Sequence, residues 1–263
     1  MKVAITWTSW FVWSYLVKYF EEKWYEVIAF NRKKWDLREK YSWEKIDFDI
    51  FIHSASDTNY EKSQKQMLKN NVEINKNILD LVNETNCKHF IYISSSSVYQ
   101  WIYWQIWVDT KIDIKNLKNS YSLTKYLAEE YIKENLNKKI WLTILRPRAI
   151  YWKGDRVLVP NILKNQIFWR LILPWNWKVK TSISEINNFI DFIWKIVEKK
   201  QFWIYNFSSK IDSYENLYKE IVIENNLKWI IKIPIIIFKL LAIFNKNKYS
   251  YIVDTFGNDK ILK

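Results

Sequence analysis

Short apolar runs alternate with longer amphipathic stretches through the first 150 residues of the chain. The short runs are rich in β-branched and aromatic residues, which is typical of buried strands. The longer stretches repeat apolar residues at helical spacing. The pattern predicts strands at 3–6, 26–30, 49–53, 90–94 and 142–145, and helices at 11–23, 69–83 and 122–135.

This alternation of strand and helix indicates an α/β fold, a parallel sheet with helices on both faces. After Pro147 the alternation weakens, and the sequence predicts loops, short strands and helices at about 187–199 and 213–225. Neither an internal repeat nor a low-complexity linker separates the two halves. We expect a first domain at 1–150 and a smaller lobe at 151–263, with the 187–199 helix packing back on the first domain.

Three tryptophans follow the first predicted strand at intervals of three residues: Trp7, Trp10 and Trp13. With glycine at these positions the segment would read T-G-T-S-G-F-V-G, a strand-to-helix turn of the kind that binds a pyrophosphate. Three indoles would fill that space, and tryptophan lacks the tolerance of glycine for positive φ. The alternative is that Trp10 and Trp13 are aromatic residues of the helix that pack on the sheet.

Tryptophan is far more frequent than glycine in this chain, with 17 Trp and 2 Gly, which is the reverse of the usual composition of proteins. Together they form about 7% of the chain, which is the usual share of glycine alone. One explanation is a gene whose UGA codons specify glycine, translated with a table in which UGA means tryptophan. Trp24 after the first helix, and Trp175 and Trp177 around Asn176, stand where glycine suits a cap or a turn. The alternative is a genuinely Trp-rich protein that makes its turns with Asn, Asp and Ser.

Composition excludes several classes of protein. Lys232, Pro234 and Lys239 interrupt the apolar run at 230–244, so no segment reaches the roughly 18 apolar residues of a membrane span. The N-terminus enters a strand pattern at once, without the features of a signal peptide. A single Cys87 cannot form an internal disulfide, and we expect a cytoplasmic location.

The net charge is +13, yet the lysines are scattered and form no basic stripe or known nucleic-acid module. The chain is also rich in Lys, Asn and Ile together, which an AT-rich gene produces without selection for binding. We therefore expect neither a nucleic-acid nor a membrane partner. The charge could still attract a phosphorylated ligand.

Tyr121 and Lys125 lie four residues apart in a predicted helix, which places them on one face. A phenol with a pKa near 10 is a poor base at neutral pH, and a nearby cation stabilises its phenolate. The pair alone is weak evidence, because the chain has 17 Tyr and many Lys. Its place after a strand that ends in four serines, at 94–97, strengthens it.

The ordered motifs of the chain resemble those of the extended short-chain dehydrogenase/reductase family, in its nucleotide-sugar epimerase and dehydratase group. The resemblance covers nearly the whole chain and implies a Rossmann-type doubly wound parallel sheet at 1–150 and a smaller C-terminal substrate-binding lobe at 151–263. The matching segments are the turn at 6–13 if its tryptophans are glycines, 49–55, 71–72 with 77–79, 93–99, 121–125 with 128–129, 145–147 and 205–207.

The resemblance implies a role for each matching residue. Tyr121 would exchange a proton with the reacting hydroxyl or ketone, Lys125 would hold the nicotinamide ribose and lower the pKa of Tyr121, and Ser95 would hydrogen-bond the same substrate oxygen. The cofactor, NAD or NADP, would contact Trp7, Trp10, Phe11, Val12, Trp13, Asn31, Arg32, Asp36, Ala55, Asn71 and Lys125.

Departures from the family pattern narrow the reaction. The 4,6-dehydratases of the family carry Asp-Glu where this chain has Ser96 and Ser97, which disfavours dehydration. The end of the second strand offers Asn31, Arg32 and Lys33 in place of an acidic residue. Arg32 or Lys33 could meet the 2′-phosphate of NADP, or both could belong to a solvated charge run. Asp36, so near that strand, implies a short connector to the next one.

We therefore expect an NAD(P)-dependent epimerase or reductase, an isomerase or oxidoreductase acting on a nucleotide-activated sugar. A noncatalytic NADP-sensing or scaffold protein is one alternative, and a degenerate module with literal tryptophans is another. Homodimerisation is common in the family and stays open. His53 and His89 lack metal-ligand spacing, so we expect both to be structural and no metal to be bound.

Overall fold

The computed structural model describes residues 1–8, 11–42, 46–57, 63–100, 104–117, 120–151, 158–164, 166–176, 179–244, 249, 252–253 and 255–263. Its helices are α1 (Phe11–Glu22), α2 (Gln64–Asn83), α3 (Ser120–Asn135), α4 (Leu158–Leu163), α5 (Ile186–Lys199), α6 (Tyr214–Glu224) and α7 (Ile235–Phe244). Its strands are β1 (Lys2–Thr6), β2 (Glu26–Phe30), β3 (Ile50–His53), β4 (His89–Ile93), β5 (Trp104–Ile106), β6 (Trp141–Pro147), β7 (Ile150–Tyr151), β8 (Gln166–Ile167), β9 (Arg170–Trp175), β10 (Lys180–Glu185), β11 (Ile204–Phe207), β12 (Lys210–Ser213), β13 (Trp229–Pro234) and β14 (Lys260–Leu262).

The chain divides into two compact units. Unit 1 contains Met1–Gln100, Lys111–Pro147 and Asn187–Asn206, and unit 2 contains Trp101–Thr110, Arg148–Ile186 and Phe207–Lys263. Within unit 1, α5 contacts α1. The hydroxyl of Tyr19 on α1 donates a hydrogen bond to Asp191 on α5 at 3.0 Å.

Unit 1 is built on a six-stranded sheet with the order β11-β6-β4-β3-β1-β2. The pairs β1 with β2, β1 with β3, β3 with β4 and β4 with β6 are all parallel. Strands β3 and β4 are buried throughout, which explains why they are mostly apolar, without alternation of polar and apolar residues. The predicted parallel α/β fold is confirmed.

The strand order reverses at β1, since β2 pairs with one of its edges and β3 with the other. Ligands of such sheets bind outside the carboxyl ends of the strands at this switch point. Strand β2 ends at Phe30 and β3 begins at Ile50, and the described residues between them, 31–42 and 46–49, contain no strand. The end of β1, at Thr6 and Trp7, thus lies where the fold accepts a ligand.

Helix α2 begins earlier than the predicted residue 69. The Ser63 hydroxyl accepts a hydrogen bond from the backbone of Gln66, whose side chain accepts one from the Ser63 backbone. This reciprocal capping box fixes the start of the helix at Gln64. The polar first turn carries no apolar period, which is why the pattern alone missed it.

Unit 2 has a sheet ordered β12-β10-β14-β5, with β7 also pairing with β10, and a second sheet ordered β13-β9-β8. The predicted helices near 187–199 and 213–225 correspond to α5 and α6. Sequence reasoning missed the β13 strand and the apolar helix α7 that follows it. In the described part of the chain, no helix has the length and apolar character needed to cross a membrane.

Left-handed backbone marks several tryptophans. The described non-glycine residues with positive φ are Trp7 (63°), Trp24 (65°), Phe168 (46°), Trp169 (62°), Lys200 (50°) and Asn226 (52°). Half of this set is tryptophan, a residue type that rarely adopts such φ values.

Trp24 ends α1 in a Schellman motif. Its N–H donates to Glu21 O at 3.0 Å, and the next N–H, of Tyr25, donates to Phe20 O at 3.1 Å. These two bonds place Trp24 at the C′ position, which glycine normally occupies. The indole is 94% exposed, so no burial of the side chain compensates for the backbone strain.

Phe168 and Trp169 form the two-residue connection of the β8–β9 hairpin, in which Ile167 pairs with Arg170. Both have positive φ, as a type I′ turn requires, and Asn-Gly is the preferred pair in that turn. Trp169 therefore stands at the position where glycine is preferred.

Candidate active site

The three predicted catalytic residues lie together at the carboxyl end of β4. Ser95 follows that strand and caps a short 3-10 helix, accepting a hydrogen bond from Ser97 N at 3.1 Å. Tyr121 lies in the first turn of α3, and its side chain interacts with that of Ser95. Lys125 lies one turn further along the same helix.

Lys125 is buried beside the end of β4. Its ammonium donates to Ile93 O at 3.0 Å and lies 5.0 Å from the centre of the Tyr92 ring. The same nitrogen lies 6.0 Å from the centre of the Tyr121 ring. The structure therefore brings the cation, the phenol and the serine hydroxyl into one cluster.

Burial shifts the pKa values of this cluster toward the neutral forms of its side chains. It lowers the pKa of Lys125 to about 7, and the Glu129 carboxylate opposes this shift. It raises the pKa of Tyr121 to about 12, and the hydrogen bond from Ser95 opposes that shift. The serine thus favours the phenolate that a proton relay requires.

A buried ionic network adjoins the cluster. Arg146 on β6 binds both carboxylate oxygens of Glu129, with its Nε at 3.0 Å from Oε1 and an Nη at 2.6 Å from Oε2. The hydroxyl of Ser94 donates to the same carboxylate. Arg146 also donates to the Tyr99 hydroxyl, which donates to Asn206 Oδ1 at 3.0 Å. Sequence reasoning noted Glu129 and Arg146 only as parts of motifs and gave them no role.

The turn after β1 holds the predicted dinucleotide residues. Thr6 fixes this turn to the segment that directly follows β3. Its Oγ1 accepts hydrogen bonds from Ser54 N at 3.0 Å and Ala55 N at 3.3 Å. Trp7 has a φ of 63°, and its side chain packs partly buried against the core. Trp7 thus has the left-handed backbone conformation that glycine favours, whereas its indole supplies bulk where glycine would let a pyrophosphate approach.

The other turn residues are placed as follows. Trp13 is buried in α1, and Val12 is partly buried. Phe11 begins α1, while Trp10 lies outside the described residues.

Ala55 and Asn71 lie beside the carboxyl end of β3, and both are buried. The amide of Asn71 accepts from Asp57 N at 2.6 Å and donates to Asp57 O at 3.3 Å. This amide therefore holds the loop that follows Ala55. The structure thus places the Asn71 amide against the backbone of Asp57.

The residues after β2 form an exposed polar turn. The side chain of Asn31 accepts from Lys33 N at 3.0 Å and Lys34 N at 3.1 Å, and Arg32 is exposed. Asp36 is ion-paired with Arg38, which holds the pKa of its carboxyl near 2. A positive side chain rather than a free carboxylate is therefore available at the end of β2.

Both histidines are buried and lie away from metal-ligand clusters. Burial lowers the pKa of His89 to about 4 and that of His53 far below its usual value. Within the described ranges, no group of three or more His, Cys, Asp or Glu side chains could hold a metal ion.

Comparison with known protein families gives a match over residues 31–202, to the NAD-binding family described as male sterility protein. Among curated proteins, the sterol-4-alpha-carboxylate 3-dehydrogenase (decarboxylating) of Candida albicans is 31% identical over 126 residues, covering 43% of this chain and 33% of that protein. The matches span about a quarter to a third of the length of the curated relatives.

Solved structures share the fold over most of the chain. The dTDP-4-dehydrorhamnose reductase of Bacillus anthracis, in complex with NADP, is 20% identical with a TM-score of 0.71, covering 89% of this chain and 84% of that one. The UDP-glucuronic acid 4-epimerase of Bacillus cereus, in complex with NAD, is 18% identical with a TM-score of 0.68, covering 88% and 87%.

Proposed function

Since the chain belongs to the NAD-binding male sterility protein family, within the extended short-chain dehydrogenases/reductases, we propose that it is an NAD(P)-dependent epimerase or reductase of a nucleotide-activated sugar. The observation that carries this proposal is the cluster of Ser95, Tyr121 and Lys125 at the carboxyl end of β4.

In this function the nicotinamide, when bound, accepts or supplies a hydride. Tyr121 gives a proton to the substrate oxygen or takes one from it at its phenol oxygen. Lys125 stabilises the phenolate through its charge, and Ser95 donates a hydrogen bond to the same oxygen. Dehydration would need further acid and base groups, and Ser96 and Ser97 supply no carboxylate for it.

The cofactor half of the proposal requires glycine at residues 7, 10 and 13. Support comes from Trp7, Trp24 and Trp169, which have left-handed φ values in three unrelated turns. Trp24 and Trp169 are 94% and 66% exposed, so they contribute little to the core. A chain in which UGA specifies glycine accounts for all three positions.

The codons at the 17 tryptophan positions and the masses of peptides from the native protein test this reading. We expect UGA codons and glycine masses at residues 7, 24 and 169. UGG codons with tryptophan masses there would contradict it. Codons can differ between positions, so each residue is decided separately.

The curated relatives favour a second candidate function, oxidation of a sterol-type hydroxyl. Of the three curated relatives, the Candida albicans sterol dehydrogenase has the highest sequence identity to this chain. The same Ser95, Tyr121 and Lys125 cluster would serve that reaction, since it also removes a proton from an alcohol. Substrate class therefore separates the two candidates.

The test uses the chain with glycine at residues 7, 10 and 13 and two substrate panels, UDP- and dTDP-sugars and 3-hydroxysteroids. Cofactor binding is followed by quenching of protein fluorescence, and turnover by nicotinamide absorbance or by sugar product analysis. We expect turnover with a nucleotide sugar, loss of turnover with retained binding in Tyr121→Phe, and no loss in the matched control Tyr131→Phe on the same helix. Turnover restricted to 3-hydroxysteroids would favour the second candidate, and full turnover by Tyr121→Phe would refute the catalytic assignment.

A further inference from the structure

We propose that Glu129 is a positioning residue of the proton relay, which maintains the charge of Lys125 and, through Ser94, holds the strand end that carries Ser95. The inference rests on the proposed function, because it concerns the same site. The hydrogen bonds of the Glu129 carboxylate come from Ser94 and Arg146, so its influence on the relay is exerted through these neighbours.

The geometry joins three elements at one carboxylate. Glu129 lies four residues after Lys125 on α3, so both side chains lie on the same face of that helix. Ser94, which donates to the carboxylate, directly precedes Ser95 at the end of β4. Arg146 on β6 holds the carboxylate in a two-point grip.

Glu129 is the negative charge that acts on Lys125. Within the described part of the chain, the titratable groups that interact with Lys125 are Tyr121 and Glu129 on its own helix, Tyr92 on β4 and His53 on β3. Of these, His53 stays neutral because burial holds its pKa far below the usual value. The guanidinium of Arg146 lies behind Glu129, where it pairs with the carboxylate.

Stability alone is a poor explanation for this buried pair. The Glu129 and Arg146 side chains are 0% and 4% exposed, and apolar residues of similar volume often stabilise a core as well as such a pair does. The pair supplies what an apolar core does not, a fixed charge next to a buried lysine. Burial brings the pKa of Lys125 to about 7, so its protonation near neutral pH depends on that charge.

The test compares Glu129→Gln with Glu130→Gln. Both remove one carboxylate from α3, but Glu130 is partly exposed and pairs with Lys133 at 2.7 Å. The ¹³Cε resonance of Lys125, assigned with Lys125→Met, is titrated in the cofactor-free protein. We expect the Lys125 pKa to fall by about one unit in Glu129→Gln, as for loss of a nearby opposite charge, and to stay unchanged in Glu130→Gln.

Turnover gives the second readout. Lys125 loses its proton as pH rises through its pKa, so the alkaline limb of kcat should move to lower pH in Glu129→Gln and stay in place in Glu130→Gln. An unchanged Lys125 pKa in folded Glu129→Gln would overturn the inference. Because the titration needs no cofactor or substrate, its result is independent of whether the proposed reaction is found.

Glu129→Gln leaves the Arg146 charge buried and unpaired, which could prevent folding. In that case Glu129→Gln/Arg146→Gln, with both charges removed, replaces it. We expect the Lys125 pKa to fall in this variant too, since the carboxylate is the charge that raises it. A wild-type pKa in the folded double variant would overturn the inference equally.

The link to Ser95 has its own variant, Ser94→Ala, with Ser97→Ala as control. Among the residues that the structure describes, Ser97 Oγ has no hydrogen-bond partner, so its removal costs no bond with any of them. We expect kcat to fall about tenfold in Ser94→Ala with little change in KM, because the strand end loses its anchor while binding surfaces remain. An unchanged kcat would refute this link.

Discussion

The side chain of Ser95 interacts with the phenol of Tyr121, and this contact joins the end of β4 to the first turn of α3. Two elements that are separate in the sequence therefore meet at the proposed proton relay. The bond lowers the pKa of Tyr121 against a rise, to about 12, that burial causes.

Removing that hydroxyl should slow the reaction and change its pH dependence. In Ser95→Ala we expect kcat to fall about 100-fold, the usual cost of losing one donor to a reacting oxygen. The limb of the pH profile of kcat that reflects ionisation of the Tyr121 phenol should move to higher pH, because the phenolate loses a hydrogen bond. Ser97→Ala is the control, and equal pH profiles for the two variants would contradict the role of Ser95.

The exposed residues after β2 give a prediction about cofactor choice. Arg32 is exposed beside Asn31, and Asp36 is occupied by Arg38. In the chain with glycine at residues 7, 10 and 13, we expect Arg32→Ala to weaken NADPH binding about tenfold and NADH binding by much less. Lys40→Ala, which removes an exposed charge from the same connector, should change neither affinity. If Arg32→Ala weakened the binding of NADPH and NADH equally, Arg32 would belong to a solvated run of charged residues and would not recognise the 2′-phosphate.

The buried histidines should make folding stability fall as the solution becomes acidic. Burial holds the pKa of His89 at about 4, and its Nε2 lies 2.8 Å from Thr143 Oγ1. The unfolded chain takes up protons below a pH of about 6.5, whereas the folded chain resists until about 4. Stability is thus fully present above about 6.5 and is lost as pH falls toward 4, by at most about 3 kcal/mol for His89.

Urea unfolding between pH 7.5 and 4.5 measures this loss. Carboxyl groups with lowered pKa, such as Asp36 at about 2, affect stability mainly below this range. In His89→Gln, the slope of the free energy of unfolding against pH should become smaller. The decrease should correspond to at most one fewer proton taken up on unfolding. If the slope in His89→Gln equalled that of the unsubstituted protein, His89 would not be the group responsible for this pH dependence of stability.

Five strands before residue 150 were predicted because they are short apolar runs rich in β-branched and aromatic residues. The second of them, at 26–30, was predicted to the residue, and the other four to within two residues. The Tyr121 and Lys125 pair was equally visible, since helix periodicity alone places residues four apart on one face.

Contacts between distant segments were not visible in the sequence. The pair of Glu129 and Arg146 joins α3 to β6, and only the folded chain shows that Arg146 grips Glu129 at two points. Helix α7 was missed for another reason. Its residues are apolar on nearly all sides, so they carry no helical period to detect.

The Schellman motif at the end of α1 gives the most direct test of tryptophan against glycine. An L-residue with left-handed φ costs about 1–2 kcal/mol, and the exposed Trp24 side chain recovers little of this by burial. We expect Trp24→Gly to raise the free energy of unfolding by about 1 kcal/mol, measured by urea denaturation. Trp24→Ala keeps the Cβ atom and its strain, so it should gain much less.

Two further variants separate backbone relief from loss of an exposed indole. Asn226→Gly occupies the same kind of helix end, but asparagine tolerates this conformation, and its gain should be smaller. Trp141→Gly removes an indole from β6, where it stacks on Phe202 at 4.3 Å, and should destabilise the protein. A gain in Trp24→Gly no larger than that in Trp24→Ala would contradict the stereochemical argument. The expected order would mean that glycine suits the turn at residue 24, and by the same reasoning the turn that carries Trp7.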